Sequence, residues 1–321
     1  MEEKKKTGKN PKKKSFMGEL FRTKPIAGIS LVILILFILI AIFADVLAPT
    51  PMTVGGLPTN VLQKMKPPSI EHLFGTDTLG RDLLSYMIYG ARTSVVLGIS
   101  CTLIGTVISV IIGVSSAVIG GMFDLIVQRI VDAFNSIPGM LITMILMAAL
   151  GNGMAQMIIV LSIPGGIGGS RMIRGVAMSV KDSGYCKMST MLSGGPLWRM
   201  LHHVVPNIMP LILMNLAGNI GGIIMAESTL NFLGYGVSLN TPSWGALLSG
   251  SGRANMYSAP WLAIIPGLAI ALIVFASAMF GDGVRDLLDP RLKGGVGSYD
   301  KEKIKKQIAK KQMANKMRAS A

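Results

Sequence analysis

Charge is missing from five long blocks of this 321-residue chain, and that absence constrains the fold more than any motif. Residues 26–44, 95–121, 133–170, 200–226 and 254–281 contain no Asp, Glu, Lys or Arg. A helix needs about 20 apolar residues to cross the hydrocarbon core, so runs of this kind are candidate membrane spans. The block 133–170 is too long for one crossing, and Gly151-Asn152-Gly153 reads as a tight turn that divides it. The spans expected are then 26–47, 94–120, 130–150, 154–170, 207–233 and 259–281, six in all. None of the runs alternates with the period of two that a membrane barrel requires. The backbone must therefore be satisfied within helices, and the chain reads as an all-α polytopic membrane protein. The first run exceeds the usual 7–15-residue core of a signal peptide, and Ala44-Asp45-Val46 is a poor cleavage site, so a retained helix is expected.

Positive charge sets the orientation. With the N-terminus inside, the segments 1–25, 121–135, 171–206 and 282–321 hold 26 of the 31 Lys and Arg residues, and the outer segments 48–93 and 234–258 hold 5. That bias places both termini in the cytoplasm. The resulting organisation is a basic cytoplasmic tail (1–25), a first transmembrane helix (26–47), an extracytoplasmic loop with a pre-membrane helix (48–93), a five-helix core (94–282) with a cytoplasmic loop at 171–206, and a second basic tail (283–321). The net charge of +15 lies mostly in the two tails. Lys-rich tails beside membrane helices suit anionic lipid headgroups or remain solvated, and neither arrangement points to nucleic acid.

Enzymatic motifs are missing. No Gly-x4-Gly-Lys-Ser/Thr phosphate loop, His-Glu-x-x-His or Gly-x-Ser-x-Gly occurs. The adjacent His202 and His203 do not share a helix face, so no metal site or bound cofactor is expected. Cys101 falls in a span and Cys186 in the cytoplasmic loop, so no disulfide is expected. Ionisable residues mark pathways in coupled transporters, yet the spans here are almost empty of them, with Glu227 the exception, which can line a pathway or serve structure. Arg129 and Asp132 sit i,i+3 on one helix face and suggest an ion pair at the cytoplasmic rim. Gly105, Gly113, Gly120, Gly121, Gly218, Gly221 and Gly222 suggest close helix packing, and Pro138 a kink in the third span.

One cytoplasmic passage, SGYCKMSTMLSGGPLWRMLHHVVPN (Ser183–Asn207), is too polar to span lipid and too apolar for a solvated linker. A short helix beginning at Asp182 or Ser183 brings Tyr185, Met188 and Leu192 to one apolar face. Such a face fits a groove on a partner or the membrane surface.

Three passages carry a resemblance. Phe74–Ser94 (FGTDTLGRDLLSYMIYGARTS), Glu227–Trp244 (ESTLNFLGYGVSLNTPSW) and Gly281–Leu292 (GDGVRDLLDPRL) resemble, in order, the C-type permease subunits of oligopeptide, dipeptide and nickel importers, which are binding-protein-dependent ATP-binding-cassette transporters. In GTDTLGRD, Thr76 or Asp77 can cap the helix that enters the membrane, and Gly75 and Gly80 punctuate the turn. The resemblance implies a type I importer permease fold of six helices. It also implies a homologous B-type permease as companion, two ATPase subunits that hold the ATP and Mg, and an extracytoplasmic binding protein. An exporter-type subunit or a scaffold without transport is the alternative.

In that family the loop between the fourth and fifth spans holds a helix that docks on the ATPase, with the pattern Glu-Ala-Ala, three residues, Gly, nine residues, then aliphatic-x-Leu-Pro. Aligned on Pro206-Asn207, this sequence reads Lys187-Met188-Ser189, then Ser193, then His203-Val204-Val205-Pro206. The spacing is kept, but Lys187 stands for the family's Glu and Ser193 for its Gly. By this resemblance Tyr185, Cys186, Lys187, Met188, Ser189, Met191, Leu192, Ser193 and Gly194 form the coupling helix.

Overall fold

The computed structural model describes residues 16–192, 194–237 and 240–288, and every regular element among them is helical. α1 (Phe16–Thr23) and α2 (Pro25–Ile42) meet at Lys24, where Pro25 starts the second helix without a missing donor. The buried residues of α2 are the small Ala27, Gly28, Ser30 and Ala41, while Ile29, Leu36 and Ile42 point outward. That is the arrangement a lipid-bathed helix needs, with small residues in the contact and large apolar ones in the solvent of the bilayer. A short α3 (Ala44–Leu47) follows.

α4 (Leu83–Ile119) is 37 residues long, about 55 Å at 1.5 Å per residue, and so projects well beyond a 30 Å core. It runs unbroken through residues 93 and 94. Its N-cap is Asp82, whose carboxylate accepts from Ser85 N at 2.8 Å. The expected cap at Thr76 or Asp77 is therefore corrected, because both lie too far upstream to reach the first turn. Asp77 instead closes its own turn, accepting from Leu79 N (2.8 Å), Arg81 N (2.9 Å) and Arg81 Nε (2.6 Å). Gly75 and Gly80 do punctuate that turn, with φ of +79° and +73°, and a Cβ on Gly80 would sit 1.8 Å from the Asn60 carbonyl.

The expected third span is two helices, α5 (Gly121–Asn135) and α6 (Gly139–Leu150), bent by 84° across residues 136–138. Pro138 cannot continue a helix begun before it, so the kink becomes a corner. α7 (Met154–Lys181), α8 (Gly184–Met191) and α9 (Pro196–Arg199) come next. A π-helical turn at Met200–Val204 joins α9 to α10 (Val205–Phe232) in one continuous rod. α11 (Trp244–Leu247), a second π-helical turn and α12 (Trp261–Leu288) complete the chain described. Among the described residues, four helical stretches are long and apolar enough to cross a membrane, namely α2, α4, the α9–α10 rod and α12, and the bent pair makes up to five. α7 is long enough but carries Gln156 and six glycines and serines in its first 17 residues, which dilute its apolar surface.

Close approach builds the bundle. A Cβ on Gly113 of α4 would lie 2.6 Å from Ser170 O of α7, and one on Gly166 of α7 would lie 2.8 Å from Gly105 O. Ser109 Oγ donates to Gly166 O at 2.7 Å in the same seam. On α10 and α12, Gly218 faces Gly281 and Gly221 faces Ser277 in the same way. At the outer end, Trp244 Nε1 donates to Met87 O at 3.1 Å while its ring meets Phe37 edge-on at 5.1 Å. Arg92 of α4 binds Asp45 at 2.9 Å, and that hydrogen bond holds the Asp45 carboxyl below its ordinary range.

Candidate functional site

The passage Ser183–Asn207 folds as a helical elbow. α7 ends at Lys181, whose Nζ donates to Ala117 O at 2.8 Å and so caps the C-terminal end of α4. After the turn at Asp182 and Ser183, α8 starts with Cys186 N and Lys187 N on Ser183 O at 3.1 and 3.0 Å. The helix is thus where the spacing put it. Its Cys186 is 1% exposed and belongs to a buried apolar cluster with Val114, Ala117 and Val118 of α4, Ile173 and Ala177 of α7, and Ile208 and Ile212 of α10. That burial corrects the expectation that Cys186 shares the docking surface. It sits about 100° around the helix from Tyr185, on the face that anchors α8 to the bundle.

The opposite face is bare. Tyr185, Met188, Met191 and Leu192 are 49, 61, 83 and 79% exposed, and Lys187 is exposed beside them. Tyr185, Met188, Leu192 and Trp198 line a shallow apolar hollow of about 360 Å³ with Ser189 and Gly194 at its edge. Gly194 fits there because a Cβ would lie 2.6 Å from Ser189 Oγ. Ser193 lies outside the described residues. Arg199 Nη1 donates to Thr190 Oγ1 at 3.1 Å and so braces the second half of the elbow against the first, and within the second half Trp198 stacks on His202 at 3.5 Å.

Glu227 of α10 is fully buried. Its Oε1 accepts from Asn231 Nδ2 (2.6 Å) and Ser243 Oγ (2.9 Å), and its Oε2 from Ser94 Oγ (3.4 Å) and Ser228 Oγ (3.2 Å). Ser243 also exchanges two 3.3 Å bonds with Tyr86 OH. One carboxylate thereby ties α4, α10 and the segment leading into α11.

The rim pair expected between Arg129 and Asp132 does not form. Asp132 takes Arg171 at 2.6 Å, and Asp124 takes Arg174 through both guanidinium nitrogens at 2.7 and 2.5 Å. α5 lies against α7, so the arginines of the neighbouring helix reach both carboxylates while Arg129 stays exposed. Sequence reasoning missed Arg171 and Arg174, although their i,i+3 spacing and the two acids of α5 were available as a signal.

Comparison with known proteins supplies the wider setting. Residues 79–294 match the model of the binding-protein-dependent transport system inner membrane component, and residues 19–68 match that of the N-terminal TM domain of oligopeptide transport permease C. The chain is 38% identical over 274 residues to the glutathione transport system permease protein GsiD of Shigella flexneri serotype 5b (strain 8401), covering 85% of this chain and 89% of that one. It is 35% identical, with the same coverage, to the protein of that name from Escherichia coli O6:K15:H31 (strain 536 / UPEC).

Proposed function

The chain belongs to the binding-protein-dependent transport system inner membrane components and is a permease subunit of an ATP-driven importer, and from that membership we propose that α8 is its coupling helix and the elbow 183–207 its transmission. In this reading the chain pairs with a homologous B-type permease, sits above two ATPase subunits that hold the ATP and Mg, and receives solute from an extracytoplasmic binding protein. It catalyses nothing itself. The solute is a small peptide or a related molecule such as the glutathione that names its relatives. Both termini and the loop 171–206 are cytoplasmic.

The observation that carries this reading is the two-sidedness of α8. One face is exposed and apolar, as a groove on a partner requires. The other carries Cys186 into the buried apolar cluster that α4, α7 and α10 share. Closure of the ATPases pulls the exposed face, and because the packed interior transmits displacement rather than absorbing it, three membrane helices move with it. Alternating access follows if that motion opens the solute path outward. Lys187 in place of an acidic residue then faces an acidic group on a matched ATPase.

Met188→Glu tests the proposal, because docking would bury an unpaired charge at a cost of several kcal/mol. ATP hydrolysis in the reconstituted complex should lose its stimulation by the binding protein, and transport should fall at least about tenfold, with α8 still helical. A cysteine at Met191 should crosslink to one placed in the ATPase groove, with a yield that ATP changes. Full transport by Met188→Glu, or no crosslink in an assembled complex, removes the docking assignment.

A further inference from the structure

α4, α7 and α10 line a half-open cavity of about 530 Å³ whose lining carries no charge. Glycines 105, 165, 168, 169 and 222 leave its walls without side chains. Four polar groups of the lining have no hydrogen-bond partner among the described residues, namely the hydroxyls of Thr102 and Thr106 and the amides of Asn215 and Asn219. Thr102 Oγ1 is buried, on a residue 5% exposed. The amides of Asn215 and Asn219 lie near the middle of the α10 span, half-buried and exposed respectively.

Unpaired amides at that depth are incompatible with a lipid-facing surface, where no group replaces the lost hydrogen bonds. The cavity must hold water or a polar visitor. Its chemistry narrows the visitor. A charged solute finds no counter-charge in the lining, and among the described residues no group of three His, Cys, Asp or Glu exists to hold a metal ion. An asparagine amide offers both a donor and an acceptor, which is the complement of another amide. Positions 215 and 219 share one helix face about 6 Å apart along the axis, close to the ~6.6 Å over which an extended chain repeats every second residue.

We infer that Asn215 and Asn219 form a charge-free hydrogen-bonding ladder across the membrane middle, which handles the passing solute through its uncharged amide groups. Selection by side-chain charge then takes place elsewhere. The inference rests on the importer reading above. Glu227, with both oxygens already occupied, is not part of the ladder.

The test uses the complete complex in liposomes with Cys101→Ser and Cys186→Ala as background. Asn215→Cys and Asn219→Cys should react with a cationic and an anionic methanethiosulfonate at similar rates, whereas Leu36→Cys on the outward face of α2 should react hardly at all. Uptake of radiolabelled trialanine, Ala-Glu-Ala and Ala-Lys-Ala should fall alike, roughly five- to tenfold for each of Asn215→Leu and Asn219→Leu, and Asn219→Gln should restore much of it. Cysteines that stay unreactive, or that react only when the companion permease is omitted, overturn the ladder, as does a loss confined to the charged peptides. Failure of the Leu variants to assemble with the companion also overturns it, since the amides would then be interface bonds. If the unaltered complex takes up none of the three peptides, the peptide reading falls and the labelling alone decides the ladder.

Discussion

A carboxylate sealed inside a membrane bundle persists where donors surround it, and Glu227 has four of them on two oxygens. The consequences of substitution follow from which donors can turn. In Glu227→Gln the carbonyl can keep Asn231 and Ser243 while the amide nitrogen faces Ser94 and Ser228, whose hydroxyls can rotate to accept. We expect a loss of about 1 kcal/mol or less and an unchanged apparent affinity for solute. Glu227→Leu strands the three hydroxyls together and leaves the Asn231 amide only its 3.0 Å bond to the backbone oxygen of residue 227, and should destabilise by about 3 kcal/mol or more. Thermal unfolding of the purified complex compares the two. A Gln variant of unaltered stability but shifted affinity would contradict the role of an internal tie. Sequence reasoning picked out Glu227 as the exceptional acid in the spans but could not find its distant partner, since Ser94 lies 133 positions away. Cys186 failed to be read for a related reason. Helical spacing groups Tyr185, Met188 and Leu192, but only the packing of three other helices decides which side of α8 is buried.

Among the elements, the seam between α4 and α7 depends on residues that have no side chain to contribute. Gly113 is the tightest test, because a Cβ there would sit 2.6 Å from a backbone oxygen of Ser170 and 2.9 Å from Arg174 N. Backbone on both sides cannot step aside as a side chain can. Gly113→Ala should therefore lower the stability of the complex by about 1–3 kcal/mol, and Gly113→Leu should prevent folded protein from accumulating. Gly222 faces the cavity with nothing within 4 Å of a built Cβ, so Gly222→Ala should fold and assemble normally. Equal yields of monodisperse complex from Gly113→Leu and Gly222→Ala would show that the seam is looser than described. Apolar runs in the sequence located every span-sized helix to within a turn or two at one end, since lipid demands unbroken apolarity there. The ends that failed were those outside the lipid. α4 begins at residue 83 because Asp82 caps it, and α5 leaves the membrane path because Asp124, Gln128 and Asp132 keep it at the polar rim. Nothing in hydropathy encodes either event.

For the whole molecule, the threading of the chain and the placement of its charge can be checked against each other. Leu20 of α1 is buried with Ala27 of α2 and Leu287 of α12, and Lys24 bonds Asp286 at 2.6 Å, so the chain enters and leaves the bundle at one end. At the other end Trp261 Nε1 of α12 reaches Thr76 O, and Arg92 of α4 reaches Asp45 beyond α2. The loop 48–82 therefore caps the end opposite the termini. The Lys and Arg excess lies at the termini and in the segments 121–135 and 171–206, 26 residues against 5, and the orientation proposed from that bias puts this end in the cytoplasm. The two native thiols are each 1% exposed, so a membrane-impermeant maleimide should leave the unaltered protein nearly unlabelled and provide its own blank. Ile70→Cys, on a residue 99% exposed in the outer loop, should label in intact cells. Met191→Cys, at the end of α8 with 83% exposure, should label only after the membrane is opened, and less once the ATPases are bound. The reverse pattern would place α8 outside, where no ATP-driven subunit can reach it, and would end the coupling mechanism together with the topology.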